Sequence, residues 1–252
     1  MVRIPAGVLH GKTIKAFYMD KTHVTVAQFR EFVKATGYVT EAERAGMAET
    51  RSLATWEHVP SPGASWRFPE GRKRPAARDD EPVVQVSYAD ARAYAAWRGV
   101  RLPTAIEFEW AQRGGLVGKL YAWGDEEMPD GKPMANYWHG PLITGKPRPE
   151  NLIDPYLKVA PVGKFPPNGY GLLDMSGNAW QITSTKMGQD HVAVMGGSWR
   201  CATTDKFVEC CLGFMNGIRQ PLPIGTRKLY GAVGDNVGFR CVKDILVARV
   251  VH

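Results

Sequence analysis

RLPTAIEFEWAQRGG, Arg101 to Gly115, reads as a short helix with both ends marked in the sequence. Thr104 stands three residues before Glu107. In this capping-box spacing a hydroxyl and a carboxylate satisfy two of the backbone donors that a helix start leaves unpaired. The predicted helix runs to about Arg113, where Gly114-Gly115 ends it. Two other starts have the same form. Thr25-Val-Ala-Gln28 opens a helix through about Ala35, with Phe29, Phe32 and Val33 on one face and Gly37 as its stop. Ser87-Tyr-Ala-Asp90 opens another through about Trp97, stopped by Gly99. After Gly115 helical periodicity does not return, and glycine, proline and asparagine dominate residues 116–190.

Short apolar runs fill in around these helices. Val2 to Asp20 reads as short strands, and Val83–Val86, His191–Met195 and Val237–Val242 as further ones. Residues 40–82 hold five prolines and no sustained period, a long irregular segment of the kind that is usually functional. There is no internal repeat and no linker, so a single domain over residues 1–252 is expected. With 27 glycines, 18 prolines and 8 tryptophans the composition suits an irregular α+β fold more than a helical bundle.

The net charge of +7 is partly gathered at Gly71-Arg-Lys-Arg74 and Arg78. Pro75 and the acidic run Asp79-Asp80-Glu81 follow at once, which marks a solvated loop. No nucleic-acid motif is present, and nucleic acid is not an expected partner. No apolar run reaches the roughly 18 residues of a membrane span, and MVRIPAG lacks the apolar centre of a signal peptide. The chain reads as soluble, with the compartment open between cytoplasmic and exported.

Cys201, Cys210, Cys211 and Cys241 all lie in the last quarter and form no C-x-x-C pair, which argues against a zinc ribbon or a disulfide scaffold. One disulfide within the cluster stays open. Cys201 ends GGSWRC, Gly196 to Cys201, and is a candidate reactive centre; the alternative is a small buried hydrophobe beside Trp199. Arg200 would lower the thiol's pKa if its guanidinium points inward. Ser198 would hydrogen-bond a thiolate or a ligand, or close a turn. The six histidines show no H-x-H or i,i+4 metal spacing.

Five motifs then occur in order: RLPTAIEFEWAQRGG, YAWGDE (Tyr121–Glu126), APVGKFPPNGYGLLDMSGNAW (Ala160–Trp180), GGSW (Gly196–Trp199) and NVGFRC (Asn236–Cys241). With FYMDKTHVTVAQFREFV, GYVTEAE, SWRFPEG and EPVVQVSYADARAYAAWRG they make the chain resemble the formylglycine-generating enzyme, or sulfatase-modifying factor, family over nearly its whole length. The resemblance implies a C-type-lectin-like α+β fold with little regular secondary structure. The best-known members oxidise a sulfatase cysteine to formylglycine with Cu(I) and O2, using two thiols five residues apart. Cys201 matches the first and Lys206 falls on the second. A lysine is no soft ligand, so a two-thiolate copper centre is not expected. Cys211 and Cys241 match positions that are disulfide-bonded in some members. Their partners would fall at Gln112 and Ala95, so free thiols are expected, with a bond between the two cysteines as the alternative.

The resemblance also implies structural Ca²⁺. A first site maps to Asn136 and Asp154 side chains and the carbonyls of Tyr137 and Tyr156. A second maps to Asp174 and Gln181 side chains and the carbonyls of Gly177 and Ala179, with Gln181 in place of a usual glutamate. The run Leu212–Val233 is more apolar than the family's usual groove-shaping run, which implies a changed substrate. The expected function is a divergent, PvdO-like oxidoreductase acting on a peptide-like natural product or a protein side chain, of the sort implicated in siderophore chromophore maturation. Cys201, Ser198 and Lys206 are its candidate catalytic residues. Trp199, Arg200, His191, Glu209 and Phe214 are its candidate substrate contacts. A non-catalytic ligand- or peptide-binding module and a true formylglycine-generating oxidase are the alternatives.

Overall fold

Four three-residue strands open the chain: β1 (Val2–Ile4), β2 (Gly7–Leu9), β3 (Lys12–Ile14) and β4 (Phe17–Met19). The computed structural model describes residues 1–52, 57–138, 154–201, 220–224 and 233–245. Strands β2 and β3 form a hairpin, while β1 and the C-terminal β11 (Val242–Asp244) flank β4, both antiparallel. Val2–Ile4 and Val242–Asp244 are thereby tied through one central strand.

The three predicted helices are present with their caps. α1 (Val26–Thr36) begins with the Thr25 hydroxyl accepting from Gln28 N–H at 3.3 Å and the Gln28 side chain accepting from Thr25 N–H at 3.0 Å. It ends at Gly37, whose φ of 66° belongs to the left-handed region. Its buried face, Val26, Phe29 and Phe32, is spaced at helical period. Phe29 meets the rings of Trp66, Tyr94 and Phe239 at 5.3, 5.9 and 6.4 Å. These contacts join α1 to α3 (Tyr88–Trp97), to the segment around Trp66 and to the C-terminal run. α4 (Ala105–Arg113) packs on the larger sheet, again with a capping box, Thr104 and Glu107.

That sheet has the order β10-β7-β8-β9: β10 (Val237–Gly238) parallel to β7 (Trp180–Lys186), then β8 (His191–Met195) and β9 (Gln220–Pro223), both antiparallel. Among the described residues β9 is the outermost strand, with Pro221 opposite Ala193 and Pro223 opposite His191.

The structure corrects four expectations. Residues 40–82 are not wholly irregular. They hold α2 (Glu41–Ala45), capped by Thr40 and Glu43, and the hairpin of β5 (Met47–Arg51) and β6 (His58–Pro62). One helical turn shows no period, and Pro60 and Pro62 hide a strand that tolerates them at an edge. Val83–Val86 forms no ladder: Val83 N–H donates to Val24, and Gln85 turns to a φ of 57° and donates to Gly234. Val237–Val242 is not one strand, because the chain leaves β7 after Gly238 and joins β4 from Val242. The fourth correction is β7, whose Gln181 and Thr183 are fully buried polar residues that carry no strand alternation. No helix among the described residues is long and apolar enough to cross a membrane.

Candidate functional site

Strand β8 delivers the GGSWRC turn. Gly196 and Gly197 follow it with φ of 91° and 76°. A Cβ at Gly196 would stand 2.9 Å from the Met175 carbonyl oxygen, so the chain can pass there only without a side chain. The turn closes where Cys201 N–H donates to the Ser198 carbonyl at 2.9 Å. Ser198 N–H points at the Cys201 sulfur, 3.3 Å away. The Ser198 hydroxyl accepts from Asn236 Nδ2 at 2.9 Å and from Arg200 N–H at 3.3 Å. The turn is pinned from outside by Trp199 N–H donating to Asn178 and by Trp138 N–H donating to the Cys201 carbonyl. Ser198, Trp199 and Cys201 are all buried, and Cys201 is a free thiol.

Charge gathers around this turn. The Arg200 guanidinium is folded inward, ion-paired with the buried carboxylate of Asp235, and stacked 5.1 Å from the Trp199 ring. Asp235 also accepts from Arg51 N–H at 3.3 Å and is approached by Lys158 Nζ at 3.8 Å. Lys158 pairs with Glu70 at 2.7 Å and lies 5.8 Å from the same Trp199 ring. Burial, with the Arg51 charge beside it, pulls Arg200 down to about 9. Burial also lowers Arg51 and Lys158, and lowers His58, which faces both Arg51 and Arg200. Sequence reading missed Arg51, Lys158, Asp235 and Asn236. Asp235 and Asn236 directly precede the VGFRC run, but nothing in the spacing of Arg51 or Lys158 announces them.

The remaining site residues fall as follows. His191 opens β8, about 13 Å of strand before Met195, and is not brought to the turn. Lys206, Glu209 and Phe214 lie outside the described residues, as do Cys210, Cys211 and most of the run Leu212–Val233. Cys241 is a free, fully buried thiol; Gln112, at one of the unpaired positions, donates to the Met175 carbonyl and to Ser176.

In the first calcium set the two side chains are held by separate hydrogen bonds. Asn136 is buried and donates through Nδ2 to the Lys158 carbonyl and to Asn178 at 2.8 and 3.1 Å, which leaves its side-chain oxygen as acceptor. Asp154 is buried and accepts from Tyr156 N–H at 2.8 Å, a local turn within its own segment. The second set is more heavily used by the protein itself. Asp174, at a φ of 53°, accepts from Gly163 N–H through Oδ2, while its buried Oδ1 has no hydrogen-bond partner. Gln181 Oε1 accepts from Arg240 Nε, and the Ala179 carbonyl accepts from His23. Gly177 has no room for a Cβ, which would stand 2.4 Å from the Asn136 carbonyl oxygen. Among the described residues no group of three or more His, Cys, Asp or Glu is placed to hold a metal by side chains alone.

Comparison with known proteins adds three likenesses. A family model described as a sulfatase-modifying factor enzyme 1-like domain matches residues 6–245. The chain is 37% identical to the formylglycine-generating enzyme of Mycobacterium tuberculosis, over 94% of this chain and 90% of that one. It is equally, 37%, identical to the inactive C-alpha-formylglycine-generating enzyme 2 of Bos taurus, over 93% of this chain and 79% of that one. Among solved structures, PvdO from Pseudomonas aeruginosa shares the fold, with a TM-score of 0.60 over 97% of this chain and 90% of that one at 20% identity.

Proposed function

The chain belongs to the sulfatase-modifying factor enzyme 1-like family, and from that premise we propose that it is a divergent oxidoreductase working at Cys201 on a peptide-like natural product or a protein side chain. The observation that carries this reading is the Cys201 turn. A free thiol is held by the Ser198 N–H in a glycine-made turn, with a buried guanidinium beside it. In this reading Cys201 and Ser198 face the reacting group, and Trp199 and Arg200 contact the substrate. By the family resemblance, Lys206 falls on the sequence position where a second thiol would complete a copper centre. A two-thiolate copper site therefore does not fit here.

Calcium fits the first set: Asn136 and Asp154, with the carbonyls of Tyr137 and Tyr156, offer the oxygen ligands it prefers. The second set fits less well, because Arg240 and His23 already use two of its oxygens. Calcium would tie together loops that make few backbone hydrogen bonds of their own.

A second reading has its own support. Equal identity to an active and to an inactive relative leaves a non-catalytic binding module on the same scaffold. One experiment separates the readings. The protein is incubated under air with a sulfatase-type CxPxR peptide and Cu(I), and in parallel with a dihydropyoverdine-type precursor. Peptide mass and chromophore absorbance are followed. Turnover of the precursor that is lost in Cys201→Ala supports the proposal. Formylglycine formation overturns it in favour of a true formylglycine-generating oxidase, and no turnover of either substrate favours the binding module.

A further inference from the structure

Stability alone does not account for the charges around Trp199. Arg200 is only 10% exposed. Its Nη2 is ion-paired with Asp235, and both Nη2 and Nε are buried without a hydrogen bond. A second cation, Lys158, lies against the same Trp199 ring. A third, Arg51, has its backbone N–H 3.3 Å from the same Asp235 carboxylate, and its charge acts on Arg200. The inner anion serving this group is Asp235, at 1% exposure; it takes Arg200, Lys158 and the Arg51 backbone N–H at once. Glu49 and Glu70 stand further out, at 17% and 36%. A buried donor left unused costs about 1–3 kcal/mol. Apolar side chains of similar volume commonly replace such a buried charge group without loss. A guanidinium kept here with donor capacity to spare is arranged for a ligand, and its planar fork matches the paired oxygens of a carboxylate or a phosphate.

We propose that Arg200, Arg51 and Lys158 form a binding site for an oxyanion group, a carboxylate or a phosphate, carried by the substrate and docked at Trp199 beside Cys201. This rests on the reading of the Cys201 turn as the functional centre, and names the charge of what that centre accepts. Asp235 holds Arg200 in place, and Glu70 together with Asp235 holds Lys158. An incoming oxyanion takes up the free Nε–H of Arg200 and relieves the repulsion between Arg200 and Arg51. A neutral or cationic group at the same position gains neither.

The test uses the full chain and no turnover. Sodium malonate and sodium phosphate are titrated separately at an ionic strength held constant with sodium chloride. Tryptophan fluorescence and calorimetry are the readouts. Saturable binding is expected, with the tighter of the two arms identifying the oxyanion. Arg51→Met is expected to weaken it about tenfold or more, the loss of one charge-assisted contact. Arg200→Lys, which keeps the charge facing Asp235 but loses the fork, is expected to weaken it as well. Lys12→Met, on the exposed face of β3, serves as the control and should bind as the parent does. Absence of saturable binding, or equal affinity in the parent, Arg51→Met and Arg200→Lys, overturns the proposal. Failure of the oxidation assay leaves this result standing, and failure of anion binding leaves Cys201 as a centre for substrates of another charge.

Discussion

The Nε–H of Arg240 donates to the Gln181 side-chain oxygen at 2.5 Å, joining two residues that are both fully buried. The other guanidinium nitrogens donate to the carbonyls of Asp20, Lys21, Leu173 and Asp174. Arg240 thus holds β7, the end of β4 and the loop before Asp174 to a single point.

Arg240→Met should therefore destabilise the protein by about 3–5 kcal/mol, the cost of removing one partner from a buried charged network. Urea denaturation measures it. A loss below 1 kcal/mol would mean that the surrounding carbonyls find water or other donors, and that the cage is not what holds these segments.

Glu107 accepts from Arg101 Nη1 and Nη2 at 2.8 and 2.7 Å and from Thr104 N–H at 2.7 Å. Burial works to raise its pKa, but Arg101 and Thr104 outweigh this and hold the carboxyl below the usual glutamate range. Its folded value lies under its unfolded one. The stability it contributes is thus complete above about pH 4.5 and is lost as the pH falls below that. Glu107→Gln should cost about 1–2 kcal/mol at neutral pH and flatten part of the acid limb of stability. An acid limb identical in parent and variant would sink this assignment.

Burial, followed by the Asp20 carboxylate, pushes the Cys241 thiol up. In the native protein at pH 8 Cys241 should resist N-ethylmaleimide for hours and react fully once the chain is unfolded in urea. Peptide mapping by mass spectrometry reads the result. Labelling of native Cys241 at the rate of a free thiol would show that the segment opens readily.

If the proposed sites take calcium, a hundredfold excess over its Kd should add about 2.7 kcal/mol. For a chain of this size that is a rise in Tm of roughly 5 °C or more. Asp154→Asn should remove most of the rise and Asp174→Asn a smaller part, because the Asp174 set shares its oxygens with Arg240 and His23. Equal effects of the two variants would contradict the ranking of the sites. No rise in the parent would remove calcium from the reading.

The helices were legible because their ends are chemical. Thr25, Ser87 and Thr104 each carry a partner three residues on, and each pair makes the predicted reciprocal bonds. The same signature at Thr40 and Glu43 went unread, since α2 is one turn long and shows no periodicity. The strands were harder. β7 buries Gln181 and Thr183, whose side chains bond to Asp174 and Ala193, so the polarity pattern contradicts the strand it belongs to. At the site, the local turn from Ser198 to Cys201 was legible because its parts are adjacent in sequence. Arg51, Lys158 and Asp235 were not, because folding brings them to Arg200 from 149, 42 and 35 positions away.

One edge of the larger sheet has a consequence for how copies of this chain meet. In β9 the N–H of Ile224, just past the strand, donates inward to Asp190. By the alternation of an antiparallel pair, Leu222 also faces inward while Pro221 and Pro223 face the open side. Neither proline has an N–H to offer there. A strand from another molecule that arrived at this rim would find no donors at those two positions. Along the described residues of β9 the rim offers acceptors without donors, which disfavours further pairing at this edge.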